Sequence, residues 1–270
     1  MDSLDTSARW HIFLRRRDFE QIVGSNPEVI SGPLLEIGAG AGVVTEQLRE
    51  LAGDVTPTDI RPRADIDGFV YADVQDLPFS DSQFRCVYSS NVLEHVPDLG
   101  AAIGELKRVL MDDGVMIHSM PTVSWKLVQL VLHPLGSAKA VIANRRGSSS
   151  GDAANDSDGV QRSTKQSDRG FGRRLIDLVV APIHGVGSSH IDEIMRFSKR
   201  RWIAEFERAG LVVISSENLY FHSPYRLFPF RFMRIRSVIS RIGLASVRSY
   251  RVVAENHAGV KIESGIQPER

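Results

Sequence analysis

The stretch Leu34–Leu48, LLEIGAGAGVVTEQL, constrains this chain more than any other. Leu34–Ile37 reads as a short buried strand, Gly38–Gly42 as a glycine-rich turn, and Val43 onward as the first turns of a helix. Glycine at 38, 40 and 42 permits positive φ and lets a ligand come close to the backbone. A helix starting there turns its unpaired N–H groups and the positive end of its dipole toward that ligand. Glu36 precedes the turn, at the carboxyl end of the strand, which is the ligand edge of an open α/β sheet. A nicotinamide-type G-x-G-x-x-G turn beginning at Gly38 needs a third glycine at position 43, where the chain has Val43.

The rest of the chain reads as further strands and helices around this turn. Residues 7–23 carry Trp10, Phe13, Leu14, Phe19, Ile22 and Val23 at roughly helical spacing, with Arg9, Arg15, Arg16 and Arg17 among them. Two readings stand open: a core-packing helix with a solvated basic face, or a helix that covers the ligand edge. Gly24-Ser25-Asn26-Pro27 ends it. Residues 54–59 predict a second strand, with Pro57 tolerable only near an edge or bulge. Asp59 falls 21 residues after Gly38, where an acid can accept two hydrogen bonds from a ribose diol. Residues 69–73 predict a third strand, Arg85–Ser90 a fourth, Ala101–Leu110 an amphipathic helix, Asp112-Asp113-Gly114 a turn, and Val115–Ser119 a fifth strand. Residues 123–145 are apolar and interrupted at His133-Pro134, and 146–170 hold almost no apolar side chains, which predicts disorder. A second apolar piece covers 175–183. Ser198 is a good N-cap for a helix carrying Trp202, Ile203 and Phe206; Leu211–Ser215 and Tyr250–Glu255 predict the last strands.

Several of these stretches resemble one family. The pattern E-x-G-x-G-x-G at Glu36, Gly38, Gly40 and Gly42 resembles motif I of the class I S-adenosylmethionine (SAM) methyltransferases. ADVQDLPFSDSQF (72–84), SNVLEHV (90–96) and RVLMDDGVMIHSMP (108–121) are similar to that family's following elements, so the likeness is continuous from about 34 to 122. Residues 187–198 look like its approach to a later helix, and the aromatic-then-arginine N-terminus loosely resembles methyltransferases found with glycan-synthesis enzymes.

The resemblance implies a doubly wound α/β fold, Rossmann-like, with a mostly parallel seven-stranded sheet whose last strand is antiparallel, and an inserted helical cap. It implies a domain plan of 1–30 as a helical cover, 31–122 as the SAM-binding core, 123–187 as the insertion, 188–257 as completion of the core and 258–270 as a polar tail. It implies SAM as cofactor, held by Glu36, Gly38, Ala39, Gly40 and Gly42, with Asp59 on the ribose, Asp73 and Val74 on the adenine, and Asn91 lining the methyl-transfer channel. His95 is a candidate general base or a packing histidine at a helix start, and His190 a candidate acceptor-side group or a loop-orienting one.

Composition bounds the partners. At 270 residues, 42% hydrophobic and 24% charged, the chain suits one α/β domain with an insertion. Its formal net charge is zero, and with no base-binding motif this argues against a nucleic-acid substrate. Cys86, the one cysteine, lies in an apolar run and reads as a buried inert thiol. No apolar run long enough to span a bilayer and no signal-peptide pattern are legible, which makes a cytoplasmic protein the expectation. Residues 219–249 lack acids and interleave aromatics with arginines, so peripheral membrane contact through 219–243 stands beside core packing. The expected function is methyl transfer to a small or lipid-linked acceptor without a metal. The alternatives are a NAD(P)-dependent oxidoreductase, disfavoured by Val43, and a non-catalytic SAM-fold partner protein.

Overall fold

The structure is a computed structural model that describes residues 6–25, 27–146, 181, 183–184, 186–222, 238–241 and 243–255. All but the first residue of the expected disordered loop at 146–170, most of the second apolar piece, the centre of the basic aromatic segment and the polar tail lie outside the described residues.

Seven strands form one sheet: β1 (Leu34–Ile37), β2 (Val55–Asp59), β3 (Val70–Tyr71), β4 (Phe84–Ser90), β5 (Leu110–Pro121), β6 (Leu211–Asn218) and β7 (Val247–Ala254). The spatial order is β3-β2-β1-β4-β5-β7-β6. β1 to β5 are mutually parallel, and β7 runs antiparallel to both of its neighbours. The expected seven-stranded sheet with an antiparallel last strand is therefore what the chain builds. Strand order reverses between β1 and β4, which places the ligand crevice at their carboxyl ends.

The helices are α1 (Thr6–Ser25), α2 (Thr45–Ala52), α3 (Leu99–Val109), α4 (Val123–Arg146), α5 (His190–Arg196) and α6 (Lys199–Arg208). Successive strand residues point to opposite faces, so each strand feeds two cores. On one face Phe19 and Ile22 of α1 and Leu48 of α2 pack with Leu34, Cys86, Tyr88 and Ile117. On the other, Ile103 and Leu106 of α3 and Trp202 and Phe206 of α6 pack with Leu35, Val87, Met116 and Val252. Cys86 is fully buried, as expected. The Asp98 carboxylate caps α3 by accepting from Ala101 N at 2.9 Å, and Ser198 Oγ caps α6 by accepting from Arg201 N at 3.3 Å.

Four local expectations need correction. Asp112-Asp113-Gly114 is not a turn between elements but part of the twelve-residue β5. Leu110 pairs with Phe84 and Val115 with Cys86, so the residues between form a bulge. Glycine is required at 114 because a Cβ there would lie 2.7 Å from Leu110 Cγ and 2.9 Å from Arg85 O. The third strand is only Val70–Tyr71, and Asp73 belongs to the following loop, closed by a bridge to Asp76. The turn after β1 continues through Val44, so α2 starts at Thr45. α4 runs through Pro134 rather than breaking there, at the cost of one helix hydrogen bond. Pro57 is accommodated as expected, because β3 pairs with β2 only at Thr58 and Asp59.

Candidate active site

The turn after β1 has the conformation its glycines imply: φ is +74° at Gly38, +56° at Gly40 and +69° at Gly42. Gly38 packs so tightly on Val92 that a Cβ would overlap Val92 Cγ2, which joins the β1 turn to the segment after β4. Gly40 differs. A Cβ there would meet only Gly38 O, at 3.9 Å, so the space over it is open. Ala39 N donates to Thr58 O at 2.8 Å and Gly42 N to Ala39 O at 2.9 Å, which hold the turn against β2.

Asp59, at the carboxyl end of β2, reaches this turn. Its Oδ2 accepts from Gly40 N at 3.0 Å and its Oδ1 from Arg61 N at 2.9 Å. A carboxylate accepts about four hydrogen bonds, so each oxygen keeps capacity for a diol hydroxyl. Asp73 is fixed by Gln75, whose backbone N donates to Oδ1 at 2.9 Å and whose Nε2 lies 3.1 and 3.2 Å from the two oxygens. Gln75 Oε1 in turn accepts from Asp98 N at 2.9 Å, tying the loop to the start of α3. Val74 is buried beside it. Leu77-Pro78-Phe79 is a packing element: Arg108 donates to Leu77 O at 3.0 Å and Phe79 O at 2.7 Å.

Glu36 lies beneath the turn rather than open to it. It shares the sheet face of Tyr88, is 3% exposed, and accepts from Thr45 Oγ1 at 2.6 Å. Burial pushes its carboxyl up to about 7, against the pull of the Thr45 hydrogen bond and the Arg49 charge. A folded-state value above the unfolded one means the native state holds a proton that the unfolded chain releases. The resulting stability is complete below about pH 4.5 and is lost as pH rises to about 7. Glu36→Gln is expected to flatten the pH dependence of urea unfolding in that window by about 3 kcal/mol. An unchanged profile would remove Glu36 from the account.

α1 lies over the end of β4. Arg15 Nη1 donates to Ser90 O at 2.6 Å and Ser90 Oγ at 2.8 Å, and Ser119 Oγ donates to Ser90 Oγ at 3.0 Å. Arg15 thus ties α1 to the carboxyl end of β4. Arg17 pairs with exposed Glu20 and lies over the Tyr220 ring. Near the other end of α1, Gln21 Nε2 donates to Asn218 O at 3.0 Å, and buried Asp18 lies 2.9 Å from His222 Nε2.

Asn91, directly after β4, has φ +52° and donates from N to Ser119 O at 2.8 Å. His95 closes the single turn Leu93–His95 and is half-buried. His190 opens α5, with Nδ1 3.8 Å from Glu193 Oε2. Between them stands His184, which the sequence reading did not single out. Its ring is edge-on to His95, with centroids 4.7 Å apart. No metal-ligand cluster is legible in the sequence, yet donor atoms of Glu94, His95 and His184 all lie within 4.8 Å of one another. Thr45, Gln75 and Arg15 were likewise not singled out as functional; of these, only Thr45, at the head of the helix after the glycines, had a positional signal.

Leu219 and Phe221 are buried and Val238 is exposed, so the expected membrane-facing segment at 219–243 begins in the core. Its residues 223–237 lie outside the described residues. Among the described residues no helix is long and apolar enough to cross a membrane.

Residues 35–118 match the sequence profile of the Methyltransferase domain family. The chain is 29% identical over 114 residues to a malonyl-[acyl-carrier protein] O-methyltransferase of Serratia marcescens, covering 39% of this chain and 45% of that protein. It is 36% identical over 95 residues to the mitochondrial arginine-hydroxylase NDUFAF5 of Mus musculus, covering 32% and 28%. It is 26% identical over 110 residues to a ubiquinone biosynthesis O-methyltransferase of Rhodopseudomonas palustris, covering 37% and 44%. The chain thus spans half or less of the length of these three relatives. Among solved structures, one chain of the complex between the Haloferax volcanii Trm112 methyltransferase activator and a methyltransferase superposes with TM-score 0.54 at 14% identity, covering 92% of this chain and 94% of that one. An SAM-dependent methyltransferase from Mesorhizobium loti gives 0.50 at 16% identity, covering 87% and 97%. At such identities these two show the fold alone. The sheet order and the two superpositions show the class I methyltransferase fold, and residues 35–118 within it match the Methyltransferase domain family.

Proposed function

We propose that the protein is a SAM-dependent methyltransferase that methylates a small or lipid-linked acceptor. The observation that carries this reading is the open space over Gly40, with the Asp59 carboxylate bonded to Gly40 N beside it. That is a cradle which a side chain would fill and which an acid, bonded to the turn, borders. SAM would supply an already activated methyl on its sulfonium. The residues that would hold it are Gly38, Ala39, Gly40 and Gly42 along its amino-acid part, Asp59 at the ribose diol, and Asp73 with Val74 at the adenine. Glu36 acts from beneath the turn, through its bond to Thr45.

What this chain must do is positional. Asn91 and the turn after β4 bound the path along which an acceptor atom comes into line, and alignment alone contributes several kcal/mol. His95 is the candidate to take a proton from an acceptor hydroxyl when no metal is bound, and His190, 3.8 Å from Glu193, is the candidate acceptor-side group. A membrane contact through 219–243 belongs to the same proposal and rests on sequence pattern. The named reaction of the mouse relative, a hydroxylase, favours keeping a second reading: a SAM-fold protein whose own chemistry is not methyl transfer.

Calorimetry with SAM, S-adenosylhomocysteine and NADH, then methyl transfer to lipid and glycan extracts, tests both. Asp59→Ala is expected to weaken SAM binding by about 1.5–3 kcal/mol, the scale of hydrogen bonds to a charged group. Unchanged affinity takes Asp59 out of the ribose site, and binding of NADH in place of SAM overturns the proposal.

A further inference from the structure

We propose that Glu94, His95 and His184 form a binding site for one divalent transition-metal ion of the zinc class, open on the acceptor side. The ion's use as an aid to the acceptor rests on the methyl-transfer reading; its binding does not.

The donor set is one carboxylate and two imidazoles. That is the mixed oxygen–nitrogen set which zinc-class ions favour, and three protein ligands leave a fourth position for water or a substrate atom. The spacing fits. Glu94 Oε1 and His95 Nε2 are 3.9 Å apart, longer than a direct hydrogen bond. Two ligands at ~2.05 Å from a tetrahedral ion subtend roughly 3.3 Å, so a small rotamer adjustment brings this pair into bonding range. All donor separations in the group lie within 4.8 Å, which asks at most somewhat more of the imidazoles.

The three donors are held together by backbone, not by chance packing. Glu94 and His95 sit on one short turn directly after β4. Val186 N donates to Glu94 O at 3.4 Å, which pins the returning segment to that turn. His184 N donates to Glu193 Oε1 at 2.9 Å, and Glu193 is itself clamped by Lys126 at 2.6 Å in full burial. The His184 ring is edged by Trp125 at 5.1 Å and by Phe197 at 6.2 Å. Glu94 is buried at the base while His95 and His184 are half-buried at the mouth, so an ion has a path in. Glu94 also borders a cavity of about 330 Å³ shared with Val186 and Arg196, room for part of an acceptor.

The site stands three residues beyond Asn91, on the same edge as the glycine turn. An acceptor hydroxyl or phenol bound at the open position would be made more acidic by the ion, which would replace His95 as the means of activating the acceptor, since its imidazole would then be a ligand.

The test uses the tag-free full chain, stripped with chelator. Titration with Co²⁺ is followed by visible absorption, and Zn²⁺ affinity by competition with a chromophoric chelator. The expected result is one Co²⁺ per chain, displaced by Zn²⁺, with affinity lowered about tenfold or more by Glu94→Gln and by His184→Ala. Glu94→Gln keeps the side-chain shape, and a thermal melt of each stripped variant shows whether the fold is retained. Absence of stoichiometric binding, or an affinity that a folded Glu94→Gln or His184→Ala leaves unchanged, overturns the site. SAM calorimetry on the same samples separates the two proposals: SAM bound without metal overturns only the metal site, and metal bound without SAM overturns only the methyl-transfer reading.

Discussion

Gly40→Val is expected to abolish measurable SAM binding while leaving a folded protein. The protein itself offers almost nothing for the new side chain to strike, since the nearest atom to a Cβ at 40 is Gly38 O at 3.9 Å. The cost to the fold is therefore backbone strain alone. Residue 40 has φ +56°, and holding a non-glycine residue in that region costs about 1–3 kcal/mol. The cost to ligand binding is steric, because the valine occupies the space the ligand needs. A loss of at least about a hundredfold in affinity, ~2.7 kcal/mol, is the expected calorimetric result. Gly38→Ala gives the contrasting pattern. A Cβ there runs into Val92, so the folded state itself suffers and the urea midpoint falls. If Gly40→Val bound SAM normally, the cofactor would have to lie elsewhere.

The glycine turn was readable because everything that defines it is local. Strand, glycines and helix follow one another within Leu34–Ala52, and backbone sterics alone dictate the positive φ values. Asp59 was readable too, since spacing from the turn fixes which strand end carries it. Local rules failed where a tertiary contact decides. Asp112-Asp113-Gly114 has turn composition, but pairing of Leu110 with Phe84 before it and of Val115 with Cys86 after it keeps it within β5 as a bulge. Glu36 looked like a ligand-facing acid, whereas the alternation of β1 turns it inward to Thr45. Among Arg15, Arg16 and Arg17 a charge run shows no preference; only the fold singles out Arg15, by bringing Ser90 within 2.8 Å. His184 carried no signal at all, being far from His95 along the chain and beside it in space.

Lys126 is the clearest case of a residue visible only in three dimensions, and Lys126→Met is expected to cost about 3–5 kcal/mol of stability. Its ammonium is fully buried, 2.6 Å from Glu193 Oε2 and 2.9 Å from Gln129 Oε1. Glu193 is equally buried, and its other oxygen accepts from His184 N. Removing the lysine charge leaves a carboxylate in a low-dielectric interior without its counter-ion, which is where the large penalty arises. A buried pair is not intrinsically stabilising, because desolvation of both charges offsets most of their attraction. The double variant Lys126→Met/Glu193→Leu should therefore recover most of the loss. It should remain about 1 kcal/mol below the parent, since His184 N then loses its acceptor. Urea unfolding of the two single variants and the double one gives the coupling directly. Equal, additive losses would show that the pair does not act as a unit. The pair bridges α4 to α5 and to the segment bearing His184, so a folded double variant carries a second expectation. With His184 no longer tied to Glu193, Zn²⁺ affinity should fall about tenfold even though Glu94, His95 and His184 are all intact.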